Sequence, residues 1–367
     1  MKKILLATIL LASSSLFGAG TEAGTDITNQ ATLSYSAGGV AQPDVTSNPD
    51  TFKVDKKVDM VLVTTDTAQT EVTPGQQDQI TNYEFRNEGN ANQYFKFTID
   101  NLANDQEADY NTLKDNNDVN NLEIQCTYAD GSGTTQTATW ANSFTIEVQQ
   151  DTNATCQVKA DIKAAKTPTN PNGAEDRDVM NVELLATAVT DSSGNTAETE
   201  SSSDTQDSVD VVLADGVSGN TLGSSDSGKG DTPKDGKEAA RSGYKIVTPV
   251  LSVNKTSCVI SDPVNDTNNP KRIPGAIIRY MFDITNTGTG DVNNLKITDT
   301  IDSNLDLTDT KASAKKDENV TSCSCGTEPS TDISADTTVN GQDVTIENIN
   351  VANGGKHSCV SIEVEIK

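Results

Sequence analysis

Apolar and polar residues alternate along most of this chain. From Ile278 onward, Ile278, Tyr280, Phe282 and Ile284 fall on one face of an extended backbone, and Arg279, Asp283 and Thr285 on the other. A period of two predicts a half-buried strand. Upstream, Asp262-Pro263-Val264-Asn265 and Pro270-Lys271-Arg272-Ile273-Pro274-Gly275-Ala276 predict a turn-rich loop, because proline fixes φ and Pro-Gly suits a tight bend. Downstream, Asn286-Thr287-Gly288 ends the strand. The same alternation at Met60, Leu62 and Thr64 and at Phe95, Phe97 and Ile99 predicts further strands, as do residues 80–87, 122–128, 140–148 and 156–162. Residues 179–189 and 209–213 read as a hairpin-like pair, and 101–121 as a polar, acidic loop. No amphipathic helix of any length is legible, so the expected class is all-β.

The pattern occurs twice. Pro74-Gly75, Tyr83-Glu84-Phe85 and Asn87-Glu88-Gly89 match Pro274-Gly275, Tyr280-Met281-Phe282 and Asn286-Thr287-Gly288. Phe95-Lys96-Phe97-Thr98 matches Leu295-Lys296-Ile297-Thr298, and the segment starting at Cys156 resembles the one starting at Cys359. Repeats of this length are whole domains in tandem rather than solenoid units. The expected division is a signal segment over 1–20, an N-terminal strand pair over 21–56, a first β-sandwich over 57–214, a flexible linker over 215–243 and a second β-sandwich over 244–367. The linker is assigned from its Gly, Ser, Asp and Lys content, which leaves nothing to bury.

Charge and leader chemistry narrow the setting. The 367 residues carry a formal net charge of −27, which repels phosphate and argues against nucleic acid and anionic membranes as partners. Lys2 and Lys3 precede an apolar run over 4–11, and the small residues Gly18, Ala19, Gly20 and Ala23 follow it. That is the order of a secretory signal, with an apolar core too short to span a bilayer. The expected location is outside the cytoplasm: secreted, on the cell surface or in the periplasm, without membrane insertion once the signal is removed.

An even number of cysteines in an exported chain favours disulfides. If Cys156 corresponds to Cys359, then Cys126 corresponds to Cys323 or Cys325. The repeat therefore predicts Cys126–Cys156, one of Cys323 and Cys325 with Cys359, and the other with Cys258.

Asp262-Pro263-Val264-Asn265, Asn269-Pro270-Lys271, Ile273-Pro274-Gly275-Ala276, Tyr280, Asn286-Thr287-Gly288 and Ile297-Thr298-Asp299-Thr300 together resemble the conserved-repeat (DUF11-like) domain of prokaryotic secreted and surface proteins. The resemblance implies immunoglobulin-like sandwich modules and an extracytoplasmic structural role. It brings no catalytic residues.

The repeat is unbalanced. The first module continues past residue 162 into 179–213, whereas nothing comparable follows the strand that starts at Cys359. Residues 24–56 look like the missing pair: Asn29, Ala31 and Thr32 with Thr51-Phe52-Lys53-Val54 resemble segments of 181–187 and 208–211. A sandwich lacking a strand exposes backbone hydrogen-bonding groups and apolar faces. Three arrangements answer this. Residues 24–56 of one chain could complete the second module of another, they could pack on their own first module, or the second module could be complete without them.

Catalytic chemistry is not legible. Gly223 to Gly230 approaches a phosphate-binding loop, but Gly230 stands where a Ser or Thr should hold Mg²⁺. His357 is the sole histidine, and Cys323-x-Cys325 with His357-x-Cys359 has the ligand types of a zinc quartet. Acidic clusters over 101–118 and 299–309 make Ca²⁺ a candidate ligand. Asn153 and Asn319 each sit in Asn-x-Thr with an acid two residues earlier, so both are candidate glycosylation acceptors. The expectation is a non-enzymatic surface protein without a cofactor, a scaffold or adhesin whose partners are other copies of itself or surface proteins. The alternative is an extracellular glycan- or calcium-binding module.

Overall fold

Alternation becomes paired sheets in the computed structural model, which describes residues 20–216 and 232–367. The signal segment up to residue 19 and the glycine-rich run 223–230 lie outside the described residues. The protein is all-β. No α-helix occurs among the described residues, and no helix is long and apolar enough to cross a membrane. The chain divides into two units: residues up to Thr70 with Gln77–Asp161 and Val179–Tyr244, and Glu71–Gln76 with Ile162–Asp178 and Lys245–Lys367.

In the first unit, Gln79–Asn87 lies between Met60–Thr64 and Asn153–Asp161, antiparallel to both. Asn120–Ala129 and Thr135–Thr137 extend this sheet on the far side of Asn153–Asp161. A second sheet runs Ser143–Val148, Gln93–Asn101, Val179–Val189, Lys237–Ile246, Thr70–Val72. The inward residues of each alternating strand supply the core. Phe85 from one sheet meets Phe95 and Phe97 from the other edge-on, with centroids 4.7 and 5.1 Å apart, the geometry aromatic quadrupoles favour.

Two expectations change here. Residues 179–189 and 209–213 do not form a pair. Val179–Val189 runs antiparallel to Gln93–Asn101, whereas Val211–Leu213 runs parallel to Lys56–Val58. An apolar run specifies that a strand is buried, not which neighbour it takes. Residues 237–243, expected in the linker, belong instead to the strand Lys237–Ile246. That strand buries Glu238, Arg241 and Ser242 along with Ala239, Ala240 and Tyr244. Its polar residues hide it from any hydrophobic pattern.

The second unit repeats the plan with fewer strands. One sheet runs Leu251–Ser261, Ile277–Asn286, Lys356–Ile366, Lys315–Val320, Thr331–Asp332. The opposing sheet runs Val292–Thr300, Asp343–Val351, Thr337–Asn340. Ile278, Phe282, Ile284, Ile346, Val360 and Ile362 meet in the core between them.

The repeated Asn-x-Gly stop has the same cause in both units. Asn286 is buried; its Nδ2 donates to the Gly290 carbonyl at 2.7 Å, and its Oδ1 accepts the N–H of Gly288 and of Val250 at 3.1 Å. Asn87 does likewise, donating to the Ala91 and Val148 carbonyls and accepting the N–H of Gly89. One amide thus satisfies backbone groups that the end of a strand would leave buried and unpaired. Glycine is required two residues on, because a β-carbon at Gly288 would run into the Thr248 carbonyl.

The turn before Ile277–Asn286 is organised by Asp262. Its carboxylate accepts the N–H of Val264, Asn265 and Lys271 at 2.7, 2.7 and 2.6 Å. Removal from water raises its pKa, but hydrogen bonds from Asn265, Lys271 and Val264 outweigh this and hold it down to about 2. The folded pKa lies below the ordinary 3.8, so the stabilisation is complete above that value and is lost as pH falls through about 2. Asp262→Asn is therefore expected to lower the Tm at pH 7, with the gap to the parent protein closing as the pH approaches 2. Thermal unfolding followed by circular dichroism at both pH values checks this; an undiminished gap in acid would show that the carboxylate charge is not the cause.

Candidate functional site

Residues Asp26 to Lys53 form one long two-stranded ribbon. Ile27 pairs with Phe52, Leu33 with Val45 and Ala37 with Val40 across three short ladders. Ile27, Ala31, Leu33, Tyr35 and Ala37 alternate onto one face of the first strand, and Phe52, Val45 and Val40 lie opposite Ile27, Leu33 and Ala37 because the return strand gains one residue between successive ladders. The opposite face is polar and satisfied within itself. There the Thr28 and Thr51 hydroxyls lie 2.8 Å apart, and Lys53 Nζ reaches Asp26 Oδ1 at 2.7 Å. Among the described residues this apolar face is largely uncovered: Leu33 is 62% exposed, Val40 64% and Val45 53%, with Phe52 at 45% and Ile27 at 37%. A two-stranded ribbon is marginal in water unless its apolar face is covered.

The base of the ribbon is held firmly. Asn90 Nδ2 donates to the Thr21 and Asp55 carbonyls, and its Oδ1 accepts the Lys57 N–H. Gln206 Nε2 donates to Asp50 Oδ1 and to the Thr51 carbonyl, both at 2.8 Å. Beyond this base the ribbon residues are exposed, Gln42 excepted.

The second unit carries the complementary feature. Val292–Thr300 pairs with Asp343–Val351 on one side; among the described strands none pairs with its other side. The neighbouring edge of the opposing sheet is Leu251–Ser261, whose Leu251 and Val253 are exposed, Val253 to 65%. Between the two edges opens a groove of about 340 Å³, lined by Leu251, Val253, Ile284, Leu295 and Ile297. Lys255 Nζ bridges the two sheets near the groove, 2.5 Å from Asp299 Oδ2 and 4.3 Å from the Tyr280 ring centre.

The other candidate residues fall elsewhere. Disulfides join Cys126 to Cys156, Cys258 to Cys325 and Cys323 to Cys359. The zinc arrangement fails, because all three of its sulfurs are held in disulfides and offer no thiolate. His357 Nδ1 instead meets Asp283 Oδ1 at 2.6 Å and the Thr285 hydroxyl at 3.1 Å. Within the acidic cluster 299–309, Asp302 and Asp306 accept the N–H groups of Asn304 and Thr308, which is ordinary turn chemistry. Asn153 and Asn319 are both exposed. Asn153 Nδ2 donates to Glu84 Oε1 at 2.5 Å, and Asn319 Oδ1 accepts the Ala352 N–H at 2.7 Å. The groove residues Leu251, Val253, Leu295 and Ile297 were not singled out as a site by sequence reasoning. Their signal is a pair of short apolar alternations, Leu-x-Val and Leu-x-Ile, which any half-buried strand shares.

No family model matches the chain, and no curated protein matches it. Among solved structures, the CupB6 tip adhesin from Pseudomonas aeruginosa is similar at 9% identity and a TM-score of 0.26, over 84% of this chain and 92% of that one. A family 123 glycoside hydrolase from Clostridium perfringens, studied for glycolipid glycan hydrolysis, is similar at 9% identity and a TM-score of 0.22, over 52% of this chain. The chain spans 27% of the hydrolase's length.

Proposed function

We propose that this protein is an exported, non-catalytic structural protein of the cell surface or periplasm. It serves as a scaffold or adhesin, is built from conserved-repeat, immunoglobulin-like modules, and associates head to tail by β-strand complementation. The observation that carries this reading is the ribbon Asp26–Lys53, whose apolar face exposes Leu33, Val40 and Val45 by more than half. Soluble chains seldom leave so continuous an apolar strand pair uncovered unless something binds it. Three disulfides suit an oxidising compartment. The net charge of −27 keeps the remaining surface soluble. Lys159 Nζ lies 5.0 Å from the ring centre of Trp140, the sole tryptophan, and occupies one face of it.

The test is light scattering on the mature protein with and without residues 24–56. The intact chain is expected to give masses that grow with concentration, and the truncated chain a monomer. A strict monomer in both cases removes the self-association reading.

A further inference from the structure

The ribbon needs a receiver, and the comparison of the two units identifies one. In the first unit, the outer side of Gln93–Asn101 is covered by Val179–Val189 and then by Lys237–Ile246. In the second unit, Val292–Thr300 holds the same place: it follows the Asn-x-Gly stop and pairs with the strand before the last cysteine of its module. Its outer side lacks those two strands among the described residues. The ribbon is two strands joined at a tight Gly38-Gly39 turn. What one edge lacks in strand number, the other element holds spare.

Resting on the self-association reading above, we propose that the groove between Val292–Thr300 and Leu251–Ser261 receives the Asp26–Lys53 ribbon of a second copy of this chain. The first ribbon strand adds to the outer edge of Val292–Thr300, as Val179–Val189 adds to Gln93–Asn101, and the second takes the place that Lys237–Ile246 holds in the first unit. Strand addition supplies backbone hydrogen bonds to an edge that has none. Side-chain alternation fixes the face: Ile27, Ala31, Leu33 and Tyr35 turn inward over Leu295, Ile297, Leu251 and Val253. The polar face, with Thr28, Thr51 and the Lys53–Asp26 pair, turns outward. A stable interface engages roughly 20–30 residues on each side; the inward face of the ribbon supplies part of that number, and strand addition to the edge of Val292–Thr300 adds backbone contacts to it. Each copy carries one ribbon, in its first unit, and one groove, in its second, so the contact joins unlike patches; it is heterologous and can propagate into a filament.

The experiment uses two full-length variants of the mature protein. One lacks residues 26–53 and keeps the groove. The other keeps the ribbon and carries Leu251→Lys with Val253→Lys, both at exposed positions, so that folding is retained; an unchanged Tm verifies this, and Ile297→Lys serves as a second groove variant. Each variant alone is expected to be monomeric by analytical ultracentrifugation. Their equimolar mixture is expected to give a one-to-one complex and nothing longer. A labelled synthetic peptide of residues 24–54 is expected to saturate the ribbonless protein and to lose roughly 30-fold or more in affinity when that protein also carries the groove substitutions, as central apolar anchors do. If the groove variants still polymerise, the ribbon binds elsewhere: the groove assignment falls and self-association stands. A mixture that forms no complex also overturns the groove assignment. If the unmodified protein never associates, both readings fall together.

Discussion

Replacing Cys258 and Cys325 with serine is expected to destabilise the second unit by roughly 4 kcal/mol, the cost of releasing a long closed loop into the unfolded ensemble. The bridge spans 67 residues of sequence, against 36 for Cys323–Cys359 and 30 for Cys126–Cys156. Loop-closure entropy grows with length, so it is the largest of the three. Its position adds a functional consequence. Cys258 lies in Leu251–Ser261, the outermost strand of its sheet, which among the described strands pairs only with Ile277–Asn286. Cys325 ties that strand across to the turn that follows Lys315–Val320. Without the bridge, this wall of the groove keeps its one ladder and the Lys255–Asp299 contact but loses its covalent tie. Urea unfolding of the double-serine variant should show a lower midpoint, and the peptide of residues 24–54 should bind it more weakly. A loss of less than about 1 kcal/mol would mean that the unfolded chain is already compact here, so that closing the loop removes little freedom.

The fold was legible where burial and alternation coincide. Phe95, Phe97 and Ile99 repeat every second residue because one face of their sheet meets the core, and the same holds from Ile278 to Ile284. The Asn-x-Gly stops were legible as stops, although the reason, one buried amide closing several backbone groups, needs coordinates. Lys237–Ile246 was not legible, because it buries Glu238, Arg241 and Ser242 by pairing them rather than by being apolar. Partner choice was not legible either. Nothing in Val211-Val212-Leu213 says that it pairs in parallel with Lys56–Val58 rather than with Val179–Val189. The spare strand pair could be read from the repeat. The bareness of its apolar face could not, since Ile27, Leu33 and Val45 look the same in a sequence whether covered or exposed.

Glu183→Ala is expected to cost the first unit about 3–5 kcal/mol, the range for removing one partner of a buried ion pair. Arg241 Nε lies 2.8 Å from Glu183 Oε2, with side-chain exposures of 1% and 3%. Arg241 is also held through its backbone, where its N–H donates to Asp109 Oδ2 at 3.0 Å. Arg241 Nη1 also reaches Gln106 Oε1 at 3.4 Å, so a variant without Glu183 keeps other polar contacts to the guanidinium but loses this carboxylate, and a buried charge with weakened compensation is costly. Arg241→Met alone takes this cation away from the buried Glu183 carboxylate. The double variant Glu183→Met with Arg241→Met removes both charges and should recover much of either loss, because apolar groups of similar volume replace buried pairs well. Chemical denaturation of the four proteins closes the cycle; a double variant as unstable as the sum of the singles would show that the pair is not coupled. The placement of the pair ties this result to assembly. Glu183 and Arg241 belong to Val179–Val189 and Lys237–Ile246, the two strands that cover in the first unit the edge left open in the second. Loosening them should make the first unit a second acceptor for the free ribbon peptide, so the Glu183→Ala protein is expected to bind more peptide per chain than its parent.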